Sequence, residues 1–231
     1  MIDAESLSRR LTAAGLADVR TDSTTRALYS SDASLYRVPP LLMAAPRHAD
    51  EVAAVLEVCR AEGVPVTARG AGTSIAGNAV GPGVVLDFSR HMGRVLAVDP
   101  DAATATVQPG VVQEDLQRAA APYGLRFGPD PSSSSRCTIG GMIGNNACGT
   151  RALGYGRTSD NLAGLRAITG SGQSWDAAPI QEGLRGVARA WQVPPSVTSA
   201  ASCASSSTGS VICRRNIRDK VLASSASMAD I

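Results

Sequence analysis

Apolar residues first recur at helical spacing in Leu7, Leu11 and Leu16, with Gly15 near the expected stop. An irregular polar arm follows, carrying Tyr29, Ser30, Ser31 and Asp32, and it ends at Val38, Pro39 and Pro40. The next fifty residues alternate between short apolar runs and a helical stripe. Residues 41–45 are a short apolar run stopped by Pro46. Residues 48–62 predict a helix, with Val52, Val55, Leu56 and Cys59 on one face and Asp50 and Glu51 in the first turn, near the positive end of the helix dipole. Gly63 ends it. Residues 64–68 and 84–88 read as buried strands on either side of a Gly-rich loop. A helix between apolar strands predicts a small parallel sheet.

The texture changes after residue 92. Residues 94–98 and 102–108 read as a hairpin around Asp99, Pro100 and Asp101. Pro109 and Gly110 break the chain, and residues 111–123 predict a helix with Val112, Leu116 and Ala119 inward. A Pro/Ser/Gly stretch leads to a strand at 165–169 and a turn at Gly170, Ser171 and Gly172. Residues 173–231 are rich in Ser and Ala without periodicity and promise little to a core. The expected division is an arm at 1–38, a domain at 39–172 with lobes at about 39–92 and 93–172, and a divergent tail at 173–231, read as disordered or frameshifted.

Composition narrows the classes. The chain has 231 residues, 44% of them hydrophobic, enough for a core. No apolar stretch is long enough to span a bilayer, and Asp3 and Glu5 with no apolar run after them argue against a signal peptide. The formal charge of +2, scattered arginines and 3% aromatic content do not suit a nucleic-acid partner. Cys59, Cys137, Cys148, Cys203 and Cys213 show no C-x-x-C spacing, which suits reduced thiols in a cytoplasmic protein rather than a metal site.

Two loops carry candidate chemistry. The first, residues 67–78, follows a strand and holds Arg69, Gly70, Ala71, Gly72, Thr73 and Ser74. Glycines let main-chain N–H groups converge on an anion, and the hydroxyls add donors. The loop lacks the lysine of a Walker A loop and the third glycine of a dinucleotide fingerprint, and a plain Gly-rich surface loop is the competing reading. The second, residues 128–149, is dominated by small residues, which lets a flat ligand lie against main chain. A short helix is expected to begin at Gly140 and Gly141, with its N-terminus open to a phosphate. A Ser/Gly linker is the alternative, and Ile139, Met142 and Ile143 argue against it.

Together these motifs resemble the FAD-binding domain of the p-cresol methylhydroxylase/vanillyl-alcohol oxidase type, and within it the branch of D-lactate dehydrogenase, glycolate oxidase and 2-hydroxyglutarate dehydrogenase. The resemblance is carried by residues 69–74, by Thr138, Ile139, Gly140 and Gly141 with Asn146 and Gly149 downstream, by Pro129, Asp130 and the serines after them, and by Tyr155 and Gly156. It spans about 39–172. It implies an α+β, two-lobed fold: a small parallel β-α-β lobe, then an incomplete, mostly antiparallel sheet lobe with helices, and FAD between them. It implies that Arg69, Gly70, Ala71, Gly72, Thr73 and Ser74 wrap the pyrophosphate through backbone amides. Thr138, Gly140, Gly141, Asn146 and Gly149 would line the flavin and ribityl chain, and Pro129, Asp130, Asn145, Tyr155 and Gly156 are carried over as further cofactor positions.

The implied activity is oxidation of a small-molecule 2-hydroxy acid by transfer to flavin. Relatives carry the catalytic base and any metal site in a domain beyond the flavin fold, and here the match fades after Gly172. A non-catalytic, truncated flavin-binding fragment is therefore the alternative. A reductase of cell-wall precursor synthesis shares the fold but is disfavoured by Asp130, Pro131, Ser132 and Ser133. His48 and His91 lie outside the loops, so a covalent histidyl flavin is not expected, and Cys137 and Cys148 read as small packing residues. No catalytic residue and no metal ligand is assigned.

Overall fold

The computed structural model describes residues 2–177 and two further short strands, Ala204–Ser205 and Gly209–Val211. The elements in chain order begin with α1 (Ala4–Ala13), β1 (Val19–Arg20), α2 (Ser23–Leu28), β2 (Leu42–Ala44), α3 (Ala49–Ala61), β3 (Val66–Arg69) and β4 (Val84–Asp87). The hairpin β5 (Val95–Asp99) and β6 (Thr104–Val107) follows, then α4 (Gln113–Ala120), α5 (Ile139–Gly144) and α6 (Ala152–Tyr155). The last are β7 (Leu165–Ile168), β8 (Ser174–Ala177), β9 (Ala204–Ser205) and β10 (Gly209–Val211).

The first lobe is a four-stranded sheet in the order β1-β2-β4-β3. Strands β2, β4 and β3 are parallel, with Leu42 and Val66 both opposite Val84. The antiparallel edge strand β1 is an addition to the expected parallel unit. All four residues of β4 are buried, as expected of a central strand covered on both faces. Helix α3 lays Val52, Val55, Leu56 and Cys59 on this sheet, and α1 adds Leu7 and Leu11 to the same core. The predicted stripes of both helices are thus the buried ones. Asp3 starts α1 by accepting a hydrogen bond from Ser6 N at 2.8 Å.

Helix α2 was not among the expected elements. Its signal was Asp22, whose carboxylate accepts from Thr25 N at 2.8 Å and from the Thr25 hydroxyl at 2.7 Å. An N-cap followed by three polar residues gives no apolar period to read.

The second lobe has two small antiparallel sheets, β10-β6-β5 and β8-β7-β9, where one mostly antiparallel sheet was expected. Its core gathers Ala105 and Val107 of β6, Leu116 of α4, Phe127, Ile139, Met142 and Leu162. Helix α4 is rotated from its expected face. Gln113, Leu116 and Ala120 are buried, while Val112 and Ala119 are only half-buried. Two glutamines make this possible. Gln113 donates to Pro129 O at 3.1 Å, and Gln117 both donates to Phe127 O at 2.8 Å and accepts from Phe127 N at 3.1 Å. A buried amide costs little when its hydrogen bonds are made.

The hairpin β7–β8 carries the domain past Gly172 to Ala177, and β9 and β10 add short strands from the segment read as a disordered or frameshifted tail. That reading otherwise falls on residues outside the described ones.

Candidate cofactor site

The Gly-rich loop leaves the sheet at β3, which is an edge strand. Phe88 N bonds Arg69 O at 2.9 Å and is the last bond joining this strand to β4. Beyond it, among the described residues, the main-chain N–H groups of residues 70–75 have no hydrogen-bond partner. Gly70, Gly72, Thr73 and Ser74 are half-buried. Ala71 and Ile75 are exposed, so the run lies at the surface, where its unpaired N–H groups can meet water or a ligand. A consecutive run of them is what an anion-binding loop requires.

Gly72 has φ +68°, the left-handed region that favours glycine, and its carbonyl accepts from Ala33 N at 3.0 Å. Gly70 serves a different need. A Cβ there would lie 2.0 Å from Thr138 Oγ1, so the first loop passes the second lobe at main-chain distance. Ser74 Oγ accepts from Ala76 N and Asn78 N, both at 3.3 Å, closing the end of the loop. Ala71 is exposed, and the Thr73 hydroxyl makes no hydrogen bond among the described residues.

Arg69 does not aim its charge at this run of amides. Its Nη1 donates to Ser31 O and Ala79 O, each at 3.0 Å, and its guanidinium sits 5.1 Å from the centre of the Tyr29 ring. Asp32 Oδ2 accepts from Ala79 N at 3.2 Å. The polar arm, given no role in the sequence reading, thus touches both ends of the loop.

The second segment is held mostly by its own bonds. Thr138 is buried and caps α5, accepting from Gly141 N at 3.3 Å. Ile139 N bonds Val111 O, and Gly140 N bonds Pro109 O, each at 2.8 Å. The first amides of α5 therefore all have protein partners. The expectation that this N-terminus faces a phosphate is corrected by that pairing. Gly140 abuts Pro109, and Gly149 abuts the Asp130 backbone, where a Cβ would sit 2.1 Å from the carbonyl oxygen. Pro129 is buried and accepts from Gln113. Asp130 accepts from Arg151 N at 3.3 Å and pairs with Arg151 Nε at 3.3 Å.

Asn146 is buried with φ +46°, and its Oδ1 accepts from Ser159 N at 3.0 Å. Asparagine tolerates the left-handed region better than most side chains. Tyr155 is half-buried, with its carbonyl bonded to Asn161 Nδ2 at 2.7 Å, and Gly156 ends α6 with φ +76°. The Ser159 hydroxyl is sealed from solvent and, among the described residues, has no partner.

The two loops meet a second time through Asn78 Nδ2, which donates to Asn145 Oδ1 at 2.6 Å, while Asn145 Nδ2 donates to Gly141 O at 2.9 Å. Asn78 was not among the expected site residues. Its signal was only its place at the end of the Gly-rich loop.

A run of unpaired amides leaving the edge of a small parallel sheet, and meeting a lobe of antiparallel sheets at Gly70–Thr138 and Asn78–Asn145, has the form that a nucleotide cofactor's phosphates need. Residues 40–177 match the family described as FAD binding domain, and the chain belongs to it. FAD is the cofactor of that family, and the unpaired amides of residues 70–75 fit its diphosphate.

Among relatives, the chain is 35% identical over 166 residues to D-2-hydroxyglutarate dehydrogenase of Escherichia coli (strain K12), covering 71% of this chain and 16% of that protein. It is 42% identical over 150 residues to glycolate oxidase subunit GlcD of Bacillus subtilis (strain 168), covering 64% of this chain and 32% of that one. The chain thus spans less than a third to about a sixth of the length of these relatives. Among solved structures, 6-hydroxy-D-nicotine oxidase from Arthrobacter nicotinovorans superposes with TM-score 0.65 at 25% identity, covering 74% of this chain and 38% of that one. An alkyldihydroxyacetonephosphate synthase gives 0.73 at 21% identity, covering 90% and 40% respectively, and shows the shared fold.

Among the described residues no helix is long and apolar enough to cross a membrane.

Proposed function

We propose that this chain is the FAD-holding part of an oxidoreductase that oxidises a 2-hydroxy acid of the D-lactate, glycolate or D-2-hydroxyglutarate class. The observation that carries the reading is the run of unpaired amides at residues 70–75, set on the edge of the sheet and facing no protein acceptor among the described residues. The relatives named D-2-hydroxyglutarate dehydrogenase and glycolate oxidase supply the substrate class. When bound, FAD supplies the redox chemistry by accepting an electron pair from the alcohol carbon.

This chain's residues bind and orient. The amides of Gly70, Ala71, Gly72, Thr73 and Ser74 would hold the diphosphate, with Arg69 bracing the loop through the arm rather than touching the ligand. Thr138, Gly141 and Asn145, next to Gly70 and Asn78, form the adjoining wall. Gly140, Asn146, Gly149, Pro129, Asp130, Tyr155 and Gly156 shape the segment behind that wall. Neither histidine belongs to this surface: His91 Nε2 lies 3.0 Å from Asp18 Oδ2, and His48 stands at the start of α3. Capture of the substrate and its hydroxyl proton is assigned to residues outside the FAD-binding domain. The cytoplasm is the proposed compartment, in keeping with the unpaired thiols of Cys59, Cys137 and Cys148.

The test is the absorbance spectrum of the purified chain after loading with FAD and desalting. Retention of the oxidised-flavin bands, lost in Gly72→Val, supports the cradle. Equal retention by both proteins rejects it.

A further inference from the structure

We propose that the polar arm at residues 29–36, which lies before the family-matched segment, sets the affinity for FAD by holding the Gly-rich loop from behind, with Asp32 as its positioning residue. The inference rests on the cradle reading and deepens it.

The loop starts on an edge strand, so no neighbouring strand supports its outer side. The arm takes that place and grips the loop at its start, middle and end. At the start and end, Arg69 Nη1 bridges Ser31 O and Ala79 O, each at 3.0 Å, with the guanidinium over the Tyr29 ring. In the middle, Ala33 N donates to Gly72 O at 3.0 Å. At the end, Asp32 Oδ2 accepts from Ala79 N at 3.2 Å, while its Oδ1 accepts from Ser34 N at 2.9 Å and so fixes the arm's own turn. The Tyr36 ring lies against Gly77, where an added Cβ would meet it at 2.6 Å.

The middle contact decides a direction. In a trans peptide the C=O and the next N–H point to opposite sides. With Gly72 O turned to the arm, Thr73 N–H is turned away from it. The arm therefore aims the amide as well as anchoring the loop. Asp32 links this contact to the loop's end, because one of its oxygens holds Ser34 N, next to Ala33, and the other holds Ala79 N. Its carboxyl is kept ionised. Burial opposes the charge, but the hydrogen bonds from Ser34 and Ala79 and the Arg69 charge outweigh it and lower its pKa. A preorganised loop binds more tightly because it loses less freedom on binding.

The experiment uses the full chain and FAD itself. Flavin fluorescence titration gives Kd, and thermal unfolding without FAD gives stability, for wild type, Asp32→Asn, Asp32→Ala, Arg69→Met, Arg69→Lys, Gly72→Val and Val52→Ala. Asp32→Asn keeps one acceptor oxygen and sets an NH2 against the other N–H, and Asp32→Ala removes both acceptors. The expected result is a graded loss, about tenfold or more in Kd for Asp32→Ala and less for Asp32→Asn. Arg69→Lys should recover most of what Arg69→Met loses. Val52→Ala is the control for stability alone: it loosens the first core away from the arm and should leave Kd within about twofold. If the Asp32 variants bind FAD like wild type while Gly72→Val does not, the arm has no positioning role and the cradle stands. If Gly72→Val also binds like wild type, the cradle reading itself is overturned. If Val52→Ala weakens FAD as much as Asp32→Ala at equal loss of stability, the effect is general loosening and the proposal is wrong. Should Asp32→Ala not fold, Asp32→Asn and the Arg69 pair decide the same question.

Discussion

Gly70 and Thr138 meet where the two lobes touch, so closely that a Cβ on Gly70 would lie 2.0 Å from Thr138 Oγ1. Thr138 cannot move aside freely, because the same oxygen caps α5 and Ile139 and Gly140 are bonded to the chain before α4. The Gly-rich loop is thus pinned on its inner side by a buried cap and on its outer side by the arm.

Substitutions in the cradle follow from that position. Gly70→Ala should push the loop off Thr138 and weaken FAD binding. Gly72→Val should abolish FAD retention, since it forces a β-branched residue into φ +68° and drives its Cβ to 2.4 Å from Arg69 Nη2. Circular dichroism should show the fold persisting in both. The measurement is flavin retained per protein after desalting.

Helix α3 provides a stability check away from the ligand. Leu56 is buried in the first core with Val52, Val55 and Cys59. Leu56→Ala should cost about 2–5 kcal/mol by urea denaturation, as a large-to-small change in a packed core. A cost near zero would mean that this face does not pack on the sheet.

Tyr29 makes stability fall at high pH. Burial first, then the hydrogen bond and charge of Asp87, push its hydroxyl up from 10.0 to about 12. The folded state therefore holds this proton more tightly than the unfolded chain. The contribution is fully present below pH about 10, and it is lost as pH rises through about 12. Urea midpoints measured across this window should fall, and Tyr29→Phe should flatten part of that slope.

The thiols should separate by burial. Cys148 is exposed, while Cys59 and Cys137 are buried. Burial pushes the Cys59 thiol up to about 12 and raises that of Cys137, against a weaker opposing bond from Ser133. Brief alkylation at neutral pH followed by peptide mass mapping should label Cys148 before Cys59 and Cys137. Labelling of Cys59 or Cys137 at the same rate would contradict the packing of their cores.

Turnover gives the fifth prediction. Fast reduction needs a substrate held within about 3.5 Å of the flavin in a productive pose. No residue of the cradle or its adjoining wall is a histidine or an acidic group set to take the hydroxyl proton. Anaerobic mixing of the FAD-loaded chain with D-lactate, glycolate or D-2-hydroxyglutarate should leave the flavin oxidised over seconds. Rapid bleaching by any of them would show that the FAD-binding domain alone suffices.

What the sequence determined by itself was local. The stripe Val52, Val55, Leu56 and Cys59 could bury only one helix face, so α3 was legible in its period. The glycines at 70 and 72, following an apolar strand, marked a candidate anion loop, with a plain surface loop as the competing reading. Tertiary structure decided what depends on partners distant in the chain. The face of α4 turned on whether Gln113 and Gln117 would find Pro129 and Phe127, and no period encodes that. The start of α5 looked open to a phosphate until Pro109 and Val111 took its amides. Arg69 sits in the motif, yet Ser31 and Ala79 draw its side chain backward, because its guanidinium finds two carbonyls and an aromatic ring there. Spacing along the chain specifies which groups are available, and only packing specifies which of them already have partners.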